Sequence, residues 1–209
     1  MKKFDNKKVG LTAKELALFA KLDTPQKIQD FVSAIPQNFE PDGDSCMSVR
    51  EVLRTKRAHC IESALVAALA LWIHGQRPLI MDLSANDEDD DHIIVLFKQH
   101  GGWGAISKSN HAYLRYRDPI YRTLRELAIS YVHEYYNVKG EKTLRTYSRP
   151  LDLSSYKPDA WITDTHAWTI AEAICDIRHF PLMTKAQERV LHPVDKIQKH
   201  IMQFRVHDA

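Results

Sequence analysis

Apolar and polar positions fall into blocks along this chain, and each block has its own period. Leu16, Phe19 and Ala20 recur at helical spacing behind Thr12 and Glu15, a pair set three apart as in a capping box. Thr24 and Pro25, an N-cap followed by a first-turn proline, open a second helix whose stripe is Ile28, Phe31 and Val32 and which closes before Pro36. Ser48 and Glu51 repeat the capping spacing for a short helix through Leu53, after which the polar run RTKRAH interrupts. Residues 61–74, IESALVAALALWIH, are apolar around almost the whole circumference and stop at Gly75. A helix with no polar face must lie inside the domain.

The period then changes. PLIMDL is a short apolar strand, NDEDDD (86–91) a solvated acidic loop, and HIIVLF (92–97) a β-branched and aromatic run without alternation, as expected of a strand covered on both faces. His100 to Gly102 turn the chain into a further strand, Trp103 to Ser107. Asp118 and Pro119 have the form of an N-cap and first-turn proline, which predicts a helix over 119–136 with apolar positions Leu124, Leu127, Ala128 and Tyr131. A loop containing Pro150 and Pro158 leads to a helix over Thr165 to Ile177, and two shorter helices begin near Lys185 and Val194. Trp161 and Trp168 are expected as core anchors. This order predicts an α+β fold: a central buried helix packed on an antiparallel sheet, with additional N- and C-terminal helices. Residues 1–150 would form the main domain and 151–209 a helical extension packed on it.

Composition narrows the class. With 209 residues, 44% hydrophobic and 27% charged, the chain can bury a sizeable core. A formal net charge of +2 is too small to point to nucleic acid. The longest apolar run is too short to cross a bilayer, so no membrane partner is expected and the protein reads as cytoplasmic. Cys46, Cys60 and Cys175 are an odd, sparse set without CxxC spacing, which argues against a disulfide scaffold or structural zinc.

Cys60 changes the picture, because it opens the buried helix. Unpaired N–H groups and the helix dipole favour a thiolate there, and the rigid helix behind it would hold the sulfur still. His92, at the start of the next central strand, is placed to act as its base. Read singly, Cys60 is also compatible with a buried small hydrophobe, and His92 with a strand-end histidine beside an acidic loop.

HCIESALVAALALWIHGQRPLIMDL followed by DHIIVLFKQHGGWGAIS resembles the core of the transglutaminase-like superfamily over about residues 45–120. In that family a Cys opens the central helix, with an acidic residue two positions on and a small residue after it, as Cys60, Glu62 and Ala64 stand here. The family His begins a following strand, matching His92, and a further strand led by Trp, matching Trp103, carries the third triad member. The resemblance implies a papain-like fold and a cysteine enzyme performing acyl transfer on amides, by hydrolysis or transamidation, through a thioester. The substrate would be a protein, a peptide or a small amide. It departs from the family at the third residue, where register places Ser107 on the family's Asp. Asn110 is the preferred orienter of His92, since papain-like enzymes use an Asn carbonyl for that purpose, and Asp118 is the nearest downstream carboxylate. A catalytically inactive fold acting as a binding or interaction module is the alternative.

The remaining motifs have simpler readings. NDEDDD lacks the order of an EF-hand calcium loop. The Tyr/Arg interleaving of residues 111–125 reads as an amphipathic surface, and nucleic acid is not the expected partner. His166, His179 and His192 have no HxxxH or HExxH spacing, so neither a metal nor a cofactor is expected.

Overall fold

A computed structural model describes residues 3–41 and 43–207. The elements are helices α1 (Asn6–Val9), α2 (Ala13–Phe19), α3 (Pro25–Ala34), α4 (Val49–Thr55) and α5 (Cys60–Ile73), strands β1 (Leu79–Ala85), β2 (His92–Gln99), β3 (Gly102–Ile106) and β4 (Arg117–Tyr121), helix α6 (Leu124–Ile129), strands β5 (Leu144–Ser148) and β6 (Leu151–Asp152), helix α7 (Trp168–Asp176), strand β7 (His179–Pro181), and helices α8 (Lys185–Glu188) and α9 (Lys196–Ile201). The fold is α+β. Its antiparallel sheet runs β4-β3-β2-β1-β5-β7, with β6 also pairing with β1.

The two faces of the sheet are both covered, which is why β2 shows no alternation. Ile93, Val95 and Phe97 join the cluster built around α5, whereas Ile94 and Leu96 join a second cluster with Leu127, Tyr131 and Tyr135. The small side chains Ala64 and Ala67 of α5 lie near Ile93 and Val95, so helix and strand pack closely. Leu65, Val66 and Leu69 are wholly buried, and each such side chain contributes roughly 1.5–3 kcal/mol of burial. The helix that carries Cys60 is therefore anchored along its length. Thr12, Thr24 and Ser48 cap α2, α3 and α4, each accepting the expected N3 amide.

Several expectations are corrected. No helix starts at Pro119: Arg117 to Tyr121 form edge strand β4, and Asp118 is not an N-cap. Proline tolerates an edge strand because its missing N–H costs no ladder bond there. Thr123 is the true cap, accepting from Glu126 N at 3.1 Å, and the helix behind it is short. The segment near Pro150, expected as loop, contributes β5 and β6, and β7 follows α7, so the sheet continues across position 150. Trp161 is fully buried as expected, stacked against Trp72, but Trp168 is 43% exposed at the first position of α7. None of the helices of the described residues is long and apolar enough to cross a membrane.

Candidate active site

Cys60 is the first residue of the 14-residue helix α5, and His59 is its N-cap. Because the N-terminal amides of a helix have no intrahelical acceptors, negative charge is favoured at this position. The helix entrance is organised by Glu62, whose carboxylate is completely buried. It accepts hydrogen bonds from His59 N and Met47 N, both at 2.9 Å, from Ser45 Oγ at 2.9 Å and from Asn38 Nδ2 at 3.1 Å. Four donors from two segments thus converge on one side chain, and they tie the 38–47 loop to the start of α5.

Two imidazoles meet the sulfur. His92, the first residue of β2, sits opposite Leu83 of β1, and it lines one cleft with His59 and Cys60. Burial acts against the thiolate, but the polar contact and charge of the two neighbouring rings outweigh it and bring the Cys60 thiol down to about 5. His59 is the complementary case. Burial disfavours its charged ring, yet the polar contact with Cys60, the neighbouring thiolate and Glu62, and the Ser45 carbonyl raise it to about 9. His59 Nε2 lies 3.0 Å from Ser45 O and 3.4 Å from Glu62 Oε1. The resting state at neutral pH is a thiolate facing an imidazolium. The other thiols differ: burial pushes Cys46 up to about 12, and burial also raises exposed Cys175.

Behind His92 stands Ser107. Its Oγ is 2.7 Å from His92 Nε2 and donates its own proton to Leu114 O at 2.6 Å. With that proton committed, the hydroxyl oxygen can only accept from the ring, so Nε2 carries a hydrogen and Nδ1 is the ring nitrogen left free. Leu114 has a left-handed backbone, φ 58°, unusual for a branched residue. Gln29 of α3 clamps Ser107 from the other side, donating to Ser107 O at 2.8 Å and accepting from Ser107 N at 2.9 Å. A serine bound to a carbonyl thus occupies the place expected of a carboxylate.

Of the residues picked from sequence, the structure brings Cys60 and His92 together and takes Asn110 elsewhere. Asn110 lies in the loop after β3, donating to His207 O at 3.0 Å and accepting from His207 N at 2.8 Å. Both ends of its amide are spent on the C-terminal segment, so Asn110 does not stand behind His92, and the side chain hydrogen-bonded to that ring is Ser107. Asp118, on β4, forms no hydrogen bond or ion pair with His92 either. No protein-family model matches this chain, and no curated protein matches it. His59 was not singled out from sequence, although it precedes the cysteine directly; histidine is not among the favoured capping residues, so its position carries no local signal. Gln29 and Leu114 are likewise invisible locally, being 78 and 7 residues from Ser107 in the chain.

A cleft of about 390 Å³ opens over the sulfur, lined among others by Asn38, Glu40, His59, His92, Lys108 and Tyr135. Its size suits a side chain or a small amide. Among the described residues no group of three or more His, Cys, Asp or Glu side chains could hold a metal ion.

Proposed function

We propose that this protein is a transglutaminase-like cysteine enzyme that transfers acyl groups from amides through a thioester on Cys60. The observation that carries this reading is the sulfur at a helix N-terminus, sharing one cleft with His59 and His92, with Ser107 behind His92. The Cys60 thiolate attacks the amide carbon, and His92, protonated at Nδ1, gives that proton to the departing amine as the C–N bond breaks. Water or a second amine then attacks the thioester while the same nitrogen takes its proton, which releases the acyl product and restores the thiolate. Ser107 keeps Nε2 protonated throughout, so Nδ1 is the nitrogen available for proton transfer. His59 supplies positive charge beside the sulfur at the resting stage.

The reading is tested by trapping the intermediate. Incubated at pH 6 with p-nitrophenyl acetate, the protein is expected to carry one acetyl group, mapped by mass spectrometry to Cys60 and absent in Cys60→Ala. Acetylation of Cys175 with none at Cys60 would sink the reading and leave the fold as a binding module.

Ser107→Ala provides a separate check on the relay. It removes the acceptor for Nε2–H and leaves the Leu114 carbonyl without its donor, so the ring can rotate or change tautomer. The acetylation rate of Cys60 is expected to fall by about tenfold to a hundredfold, less than loss of a charged orienter costs. A rate within twofold of the parent protein would show that Ser107 does not set the ring.

A further inference from the structure

Lys108 has no part in the chemistry described above, yet it lies beside it. It follows β3, one residue after Ser107, and lines both the cleft over Cys60 and the apolar seam where Cys60, Ser63 and Ala64 meet Ile93. Only 4% of the residue is exposed. A lysine ammonium has three donors, and among the described residues this one makes a single hydrogen bond, to the Ile35 carbonyl at 2.5 Å. Glu40, Asp89, Asp90 and Asp91 also line the cleft, but none of them forms an ion pair with Lys108. Arg115 adds positive charge nearby. A buried cation whose one hydrogen-bond acceptor is neutral, and which none of the nearby anions pairs, is costly to keep, and an anion that reached it would relieve that cost.

We propose that Lys108 is the anion-recognition residue of the Cys60 cleft and selects an acyl donor that carries a carboxylate close to the amide it presents to the sulfur. This rests on the cleft being the acyl-transfer site. Burial, and secondarily Arg115, bring the ammonium down to about 8, so it is charged at neutral pH and gains from a paired carboxylate. The water-poor surroundings that make the lone charge costly also strengthen that pairing. The specificity-determining group would therefore sit on the substrate side of the site, while His59 and His92 act on the sulfur.

Two alkylating probes of similar size test the assignment, since iodoacetate carries a carboxylate and iodoacetamide does not. In both, the thiolate displaces iodide as the S–C bond forms. For each protein the rate at Cys60 with iodoacetate is divided by that with iodoacetamide. The ratio is expected to fall about tenfold in Lys108→Gln, which keeps a donor for Ile35 but loses the charge, and to stay near the parent value in Lys108→Arg. Lys108→Met carries the same expectation should the glutamine variant fail to fold. A ratio unchanged in the neutral variants would overturn the proposal. The absolute iodoacetamide rate reports on thiol activation and the ratio reports on Lys108, so the two readings fail separately. Protection of Cys60 by acetylglycine or by acetylglutamate α-amide then identifies a main-chain or a side-chain carboxylate as the recognised group.

Discussion

At pH 5.5, Cys60 is expected to react with dipyridyl disulfide at least about tenfold faster than Cys175 does. The low pH is the informative one. A thiol with a pKa near 9 is ionised to only about one part in a few thousand there, whereas Cys60, with its thiol at about 5, is mostly thiolate. A weaker base is also a weaker nucleophile, and over four pKa units that loss is roughly a factor of sixty, which cancels most of the advantage at neutral pH but not at pH 5.5. The sign is fixed by the two shifts: the thiolate is lost as pH falls through about 5, and the imidazolium of His59 is lost as pH rises through about 9. His59→Gln and His92→Gln should each move the acid limb upward, because each removes a polar contact and a charge that favour the thiolate. A reactivity profile at Cys60 that rises only above pH 8, like that of an ordinary thiol, would contradict the ion pair. Competing rates at the three cysteines are read in one experiment by peptide mapping.

Glu62→Ala is expected to lower the unfolding free energy by about 3–5 kcal/mol, the largest effect of any single polar substitution near the site. The carboxylate is fully buried and accepts from two backbone amides, a hydroxyl and a carboxamide; truncation leaves four donors facing a void. Glu62→Gln keeps the volume but turns an NH2 group toward groups that all donate, so it should recover only part of the loss. Urea unfolding followed by circular dichroism measures both, and a cost below about 1 kcal/mol for alanine would show that the network is dispensable. The two predictions are coupled through His59. Glu62 is one of the charges that raises His59, so in the glutamine variant the His59 imidazolium should be lost at lower pH, and the alkaline limb of the Cys60 profile should move down with it. A variant that is destabilised but keeps the parent pH profile would separate the structural role of Glu62 from its electrostatic one.

The site's two central residues were legible because both mark element boundaries. Cys60 stands where an all-apolar helix begins, and His92 where an acidic loop becomes a buried strand; the period of burial alone reveals each junction. The residues behind them were not legible. Asn110 was the plausible orienter by residue type, but the loop after β3 carries it to the C-terminal segment, where His207 uses both ends of its amide. Ser107 has no chemical mark of its own. It is held against the His92 ring by a carbonyl at the left-handed turn of Leu114 and by an amide clamp from Gln29 on a distant helix.

The same division holds for the fold. Local pattern determined the capped helices α2 to α4, the buried helix α5 and the two central strands, because capping spacing and unbroken burial are written into neighbouring residues. Tertiary structure alone decided that Arg117 to Tyr121 extend as an edge strand instead of coiling, and that β5, β6 and β7 complete the sheet on the far side of β1. Short edge strands bury one face at most and owe their conformation to partners distant in sequence, so a proline or a threonine there carries no period to read. For the site, sequence determined which sulfur and which base stand at their element starts. Only the packing of α3, the 38–47 loop and the loop after β3 around that pair decided which groups hold Glu62, Ser107 and Lys108 beside it, since hydrogen bonds across such separations depend on where the chain returns.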